Sequence, residues 1–202
     1  SIINKTKKFI LNKEQLQALK FLETKNTGFN VSVLQGTTGS GKTLVYFERI
    51  KKIIEKNYQD LVLLPEIFLT NDFKSRFEEY FGFEPAVWHS KITPKQKRVI
   101  WKGVINNNIK ILVGARSALL LPFKKLGIII VDEEHDSSYK QDEGVIYNAR
   151  DMAISRASFE KIPIHLVTSV PSIETYNNIL NKKYRHINIC LLYTSPSPRD
   201  SA

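Results

Sequence analysis

A short apolar run, Val31-Ser32-Val33-Leu34-Gln35, and a helical pattern from Leu44 to Glu55 are joined by Gly36-Thr37-Thr38-Gly39-Ser40-Gly41-Lys42-Thr43. That strand, loop and helix order confines the chain to a few α/β folds, because the loop fits G-x-x-x-x-G-K-S/T without a mismatch. Gly36, Gly39 and Gly41 allow backbone conformations that turn successive N–H groups inward, and Thr37, Thr38 and Ser40 complete a nest that suits phosphate oxygens. Lys42 adds a point charge for β and γ phosphates, and the Thr43 hydroxyl can ligate Mg²⁺. The following helix sets its N-terminus against the same anion. A plain glycine-rich surface turn would need neither the Lys-Thr ending nor the flanking elements.

A second signal lies downstream. Gly127-Ile128-Ile129-Ile130-Val131 is the continuous aliphatic run of a strand covered on both faces, and it delivers Asp132 to the carboxyl edge of a parallel sheet, where ligands bind. Asp132 is placed to hold Mg²⁺ and Glu133 to orient and deprotonate an attacking water, the two tasks of phosphoanhydride hydrolysis. Glu134 and His135 continue the cluster, either as part of the site or as a solvated acidic turn. The ligands implied are a nucleoside triphosphate and Mg²⁺.

The rest of the chain alternates strands with helices. Strands are expected at 60–64, 85–88, 110–114, 128–132 and 164–168. Helices are expected at 66–80, with Phe68, Phe73 and Phe77 on the buried side, and at 93–106, 149–159 and 172–180. Such repetition predicts an α/β lobe with a mostly parallel sheet, helices on both faces and right-handed crossovers. Residues 133–148 read as a long irregular loop directly after the carboxylates, a position and length that suit function.

With 202 residues the chain can bury one domain but not two full nucleotide-binding lobes. Its net charge is +10 and its pI about 9.6, which suits a polyanionic partner; the abundance of Lys, Asn and Ile also fits simple compositional bias. No apolar run reaches the length of a membrane span and no signal peptide opens the chain, so a soluble, cytoplasmic protein without a membrane partner is expected. A single cysteine, Cys190, precludes an internal disulfide framework and a structural zinc site of its own.

Several further segments carry a family resemblance. Gln35 to Thr43, Leu63-Leu64-Pro65-Glu66-Ile67, Trp88-His89-Ser90, Gly114-Ala115-Arg116-Ser117-Ala118-Leu119, Ile130 to Gln141 and Tyr147-Asn148-Ala149-Arg150-Asp151 resemble, in order, the PriA (primosomal protein N′) family of replication-restart helicases in superfamily 2. The similarity runs from about residue 10 to 188, and Asp132-Glu133-Glu134-His135-Asp136-Ser137-Ser138-Tyr139-Lys140-Gln141 is its most specific string.

The resemblance implies a RecA-like P-loop lobe and, in the whole protein, ATP hydrolysis coupled to translocation on single-stranded and forked DNA, with primosome and replication-restart proteins as partners. Gln15 stands where such helicases keep an adenine-recognising glutamine; from the residues alone it is equally an ordinary helix-start residue. Pro65, Glu66, Arg116 and Ser117 occupy the segments that lie along the single-stranded track. His135, Thr168 and Ser169 fall in the segments that couple hydrolysis to movement. Tyr139, Lys140 and Tyr147 stand in the aromatic-rich, DNA-sensing loop, where a tyrosine can stack on a base or simply pack. Two positions depart from the pattern. Thr168-Ser169-Val170 replaces Ser-Ala-Thr, which shifts the hydroxyls by one residue, and Ala115 replaces a threonine.

From Cys190 the chain turns Ser/Pro-rich, and Cys190 to Asp200 matches the translation of a transposase-type sequencing adapter. The expected organisation is therefore a helicase lobe at 1–189 followed by a scar at 190–202, with a flexible biological tail as the alternative. A second lobe, a region binding Zn²⁺ and an upstream DNA-binding domain are expected outside this chain. Two other functions share the phosphate loop: a small-molecule kinase, and a nucleic-acid-binding scaffold that uses ATP only as a switch.

Overall fold

The computed structural model describes residues 9–141 and 147–189. Seven strands, β1 (Asn30–Gly36), β2 (Gln59–Leu63), β3 (Ala86–Trp88), β4 (Ile111–Gly114), β5 (Leu126–Val131), β8 (Pro163–Thr168) and β9 (Arg185–Ile189), form one sheet in the order β3-β4-β2-β5-β8-β1-β9. Every neighbouring pair in it is parallel. Two short strands, β6 (Lys140–Gln141) and β7 (Tyr147–Asn148), make a separate antiparallel ladder. All the loops leaving the sheet's carboxyl edge therefore converge on one rim, where side chains from distant segments can meet.

Period-two alternation sorts the aliphatic runs onto two faces. Val62, Leu64, Ile128, Ile130 and Val167 pack under α1 (Lys13–Glu23), α2 (Lys42–Ile54) and α3 (Asn71–Phe81); Leu61, Leu63, Ile129, Val131 and Leu166 pack under α4 (Pro94–Ile105) and α5 (Ala149–Glu160). The first face carries an aromatic cluster in which Phe47 touches Phe73, Phe77, Tyr80 and Phe81. It also holds a buried polar layer. Arg49 Nε donates to His165 Nε2 at 3.2 Å, and burial pushes the nearby Asp60 carboxyl well above its ordinary range, with Arg49 opposing.

Three expectations are revised. The helix expected from 66 to 80 is a single 3₁₀ turn, Glu66–Phe68, followed by α3, because Thr70 accepts from the Phe73 N–H and starts a new helix. Residues 133–148 are not irregular throughout: a 3₁₀ turn, Ser137–Tyr139, leads into the β6–β7 ladder. Strand β9 was not expected at all. The residues from Cys190 onward, and with them the adapter-derived segment, lie outside the described residues.

Candidate active site

The phosphate loop leaves β1 with Gly39 and Gly41 both at φ +82°, so its shape is one that side-chain-bearing residues rarely adopt. Its closeness is equally demanding. A methyl group on Gly36 would strike Ser40 Oγ, and one on Gly41 would strike the Gln15 amide. Lys42 Nζ donates to the carbonyls of Gly36 (2.5 Å) and Thr37 (3.1 Å), which holds the ammonium inside the loop. Burial lowers its pKa, while Asp132 and Glu133 oppose that shift.

Gln15 belongs to two structures at once. Its Oε1 accepts from the Asn12 N–H (2.9 Å) in a capping box that starts α1, and its Nε2 donates to the Gly41 carbonyl (3.3 Å). The helix-start residue thus touches the phosphate loop, with both ends of its amide engaged by protein.

Asp132 follows β5 and is buried. Tyr46 Oη donates to its Oδ2 and the Glu133 N–H to its Oδ1, both at 2.8 Å. Burial raises its pKa to about 6 despite the hydrogen bond from Tyr46, and the charge of Glu133 adds to the rise. Glu133 adopts φ +50°, a left-handed conformation uncommon for a residue with a side chain.

These residues share one cleft. A cavity of about 400 Å³ is lined by Thr38, Gly39, Gly41, Lys42 and Thr43 from the loop, by Asp132 and Glu133 from the end of β5, and by Ser169. Phe9, Leu44, Phe47 and Tyr80 give it an apolar wall, with the Phe9 and Tyr80 rings 5.4 Å apart. An apolar, ring-bearing wall beside a polar nest suits a heterocyclic base with a phosphate chain. The donor set also fits a hard divalent cation. Thr43 and Asp132 offer two oxygen ligands, too few for an all-protein cage, which is how Mg²⁺ is taken up together with substrate phosphates. Among the described residues, no group of three or more His, Cys, Asp or Glu side chains forms a metal site.

Glu134 and His135 are wired in different directions. Glu134 accepts from the Ser172 N–H (2.7 Å), Ser172 Oγ (3.1 Å), Thr175 Oγ1 (2.9 Å) and Arg150 Nη1 (3.3 Å). It therefore clamps α5 and α6 (Ile173–Leu180) to the end of β5. His135 Nδ1 lies 2.7 Å from Thr168 Oγ1, and its Nε2 3.6 Å from Glu133 Oε2, so it bridges the Glu133 carboxylate and the end of β8. Thr168 in turn donates to the Val170 carbonyl at 2.8 Å. The shifted hydroxyl thus still meets the histidine.

A second groove runs along the same rim. Pro65, Glu66, Arg116 and Ser117 line a cavity of about 460 Å³ together with Ser90 and Tyr139. Glu66 Oε1 accepts from Ser90 Oγ at 3.0 Å. For Tyr139 the base-stacking expectation is corrected. Only 1 % of its surface is exposed, and its hydroxyl donates to the carbonyls of Asp132 (2.6 Å) and Leu63 (3.1 Å). The ring packs, and the residue acts as a strut between the two clefts. Lys140 is exposed, 3.7 Å from Glu174. Tyr147 joins the ladder through its backbone, and its side chain lies outside the described residues.

A DEAD/DEAH box helicase family model matches residues 12–179. The chain belongs to the DEAD/DEAH box helicases. Curated relatives carry the name Replication restart protein PriA. The chain is 46% identical to the one from Rickettsia felis over 185 residues and 43% identical to the one from Haemophilus influenzae over 186 residues. Each alignment covers 92% of this chain but only 28% and 25% of those relatives, so the helicase lobe seen here spans about a quarter of their length. Among solved structures, RecG bound to a three-way DNA junction superposes with a TM-score of 0.66 at 22% identity, covering 91% of this chain and 24% of that one. The likeness establishes the RecA-like fold of the lobe.

Tyr46, Phe9, Ser172 and Thr175 were not singled out from the sequence, and Arg150 stood only within the Tyr147–Asp151 string, without a role of its own. Tyr46 could have been found, since it lies one helical turn after Lys42 and so faces the loop. The Arg150 clamp gives no local signal, because its partner reaches it only through the tertiary fold. No helix among the described residues is long and apolar enough to cross a membrane.

Proposed function

We propose that this chain is the nucleotide-binding lobe of an ATP-dependent DNA helicase of replication restart, acting in the cytoplasm. The observation that carries the reading is the strut. One hydroxyl, that of Tyr139, bonds the carbonyl of Asp132 at the nucleotide cleft and that of Leu63, which precedes the Pro65–Glu66 wall of the second groove. A change at either cleft therefore reaches the other through one hydroxyl hydrogen shared between the two carbonyls.

In this mechanism the Gly36–Thr43 loop cradles the triphosphate, Lys42 leaves its carbonyl contacts for the β and γ phosphates, and the Phe9 and Tyr80 wall receives the base. Gln15 holds the loop's Gly41 and, by resemblance, reads the adenine edge. Thr43 and Asp132 would hold Mg²⁺, which would supply positive charge to neutralise the phosphates. Glu133 orients and deprotonates the attacking water, and His135 passes the state of that carboxylate to Thr168 and Ser169. The groove bordered by Pro65, Glu66, Arg116 and Ser117 takes the backbone of single-stranded DNA, a contact that tolerates any base sequence. Lys140 and Tyr147 flank it.

Residues 1–189 make one lobe, and the whole protein supplies a second lobe, a zinc-binding region, a DNA-binding domain and the contacts to primosome proteins. An arginine from a second lobe is worth about 10³ to 10⁵ in rate, so the lobe alone binds nucleotide and turns it over poorly. The test is ATP hydrolysis by a two-lobed form with and without single-stranded DNA. Strong stimulation is expected, and Glu133→Gln should keep ATP binding but lose turnover. Full-rate hydrolysis by that variant would refute the assignment, whereas phosphotransfer to a small molecule without DNA stimulation would point to the kinase.

A further inference from the structure

Helix α4 is unusual in what it leaves outside. It buries one residue, Val104, and carries Lys95, Lys97, Arg98 and Lys102 with no carboxylate along its length. Trp101 is 46% exposed. It lines, with the half-buried Trp88 at the end of β3, a shallow cleft of about 340 Å³ whose remaining walls are Lys97, Arg98 and Lys102. None of these three cations has a side-chain hydrogen bond or ion pair among the described residues.

The cleft is attached to the groove already described. Trp88 Nε1 donates to Ser117 Oγ at 3.1 Å, and Ser117 is a wall of the Pro65–Arg116 groove. Two indoles on an apolar floor, rimmed by three unpaired cations and bonded to a backbone-tracking groove, are the elements of a single-strand binding station: the rings meet any base and the cations meet its flanking phosphates. An acidic peptide would satisfy the cations but would leave the indole faces without a matching plane.

We propose that the Trp88–Trp101 cleft binds single-stranded nucleic acid, with a base on Trp101 and phosphates on Lys97, Arg98 and Lys102, and so carries the strand beyond the Arg116–Ser117 groove. This inference rests on the reading of that groove as a DNA track.

The chain's only tryptophans are Trp88 and Trp101, so its entire indole emission reports on this patch. The 202-residue chain is titrated at low salt with labelled oligothymidylates of about 6 and about 15 nucleotides, a span that brackets the site size of typical single-strand binders. Anisotropy reads affinity, and tryptophan emission reads stacking. The longer oligomer should bind more tightly and quench the emission. Trp101→Leu should weaken binding of the longer one about tenfold, and Trp101→Phe should restore most of the loss. Replacing Lys97, Arg98 and Lys102 by Gln should reduce the slope of log affinity against log salt by about 2. Melting curves of these surface variants should match the parent.

The outcomes separate the two readings. If emission is unquenched and Trp101→Leu has no effect while Arg116→Ala still weakens binding, the station is refuted and the groove stands. If neither oligomer binds, both fall. Quenching by polyglutamate as strong as that by oligothymidylate would overturn the station in favour of a protein-docking surface.

Discussion

Replacing Arg150 by Met tests whether the clamp behind the carboxylates is held by a buried charge pair. The Glu134 and Arg150 side chains are 0% and 4% exposed, and Glu134 also accepts from Ser172 and Thr175. Removing the guanidinium leaves a fully buried carboxylate without its charged partner, and breaking such a pair costs about 3 to 5 kcal/mol. The contact from Arg150 Nε to Asp151 adds little, since Asp151 is exposed. For a chain of this size each kcal/mol lowers the melting temperature by about 2 to 4 °C, so Arg150→Met should melt about 6 to 20 °C below the parent. Glu134→Gln keeps a carbonyl oxygen for the Ser172 N–H and sets its amide NH2 against Arg150 Nη1, but Arg150 retains the carboxylates of Asp151 and Glu174. The change should cost only about 1 to 3 kcal/mol. The double variant Arg150→Met, Glu134→Leu should recover most of the loss, because an apolar pair of similar volume escapes the desolvation penalty. Urea unfolding followed by circular dichroism measures all four proteins. If Arg150→Met lies within about 1 kcal/mol of the parent, or the double variant is no better than the single, the clamp is not electrostatic.

Three further outcomes are expected. In metal-free buffer Asp132→Asn should stabilise the fold: a carboxyl with pKa about 6 against an ordinary 3.8 contributes stability that is full below pH 3.8 and lost as pH rises through 6. The variant's advantage should therefore be largest above pH 6, at about 1 to 3 kcal/mol, and close toward pH 4; thermal melts across that range read it. Gly41→Ala should abolish nucleotide binding in a fluorescent-ATP titration, since φ +82° and the Gln15 amide both oppose a methyl group there. Tyr139→Phe in a two-lobed form should cost about 1 to 3 kcal/mol and reduce DNA stimulation of ATP hydrolysis more than the basal rate, because it removes both bonds of the strut.

What the sequence revealed was local in origin. Lys42 and Thr43 open the helix that follows β1 and its loop, and Asp132 and Glu133 follow the continuous aliphatic run of β5, so strand, loop and chemistry could be read together. Strand β9 escaped because Arg185-His186-Ile187-Asn188-Ile189 mixes charge with apolar residues at an edge, where only one side of the strand is covered. The break before α3 was legible in principle from Thr70-Asn71-Asp72, a run of capping types, but the phenylalanine spacing across it was read as one helix. For Tyr139 the choice between stacking and packing was closed to the sequence for a different reason. An aromatic side chain in a polar loop offers no local sign of whether it points outward or back under the sheet.

The position of β1 also bears on how the chain acquires its shape. Within the lobe the strand that carries the phosphate loop precedes all the others, yet its neighbours are β8 and β9, with Asn30 set beside Pro163 and Ser32 beside Arg185. Until those late segments emerge, Val31 to Leu34 has two bare edges and nothing to pair with, which is a hazard for a nascent apolar strand. Competence to bind nucleotide should thus arrive abruptly, near the end of the lobe's synthesis, rather than growing with chain length.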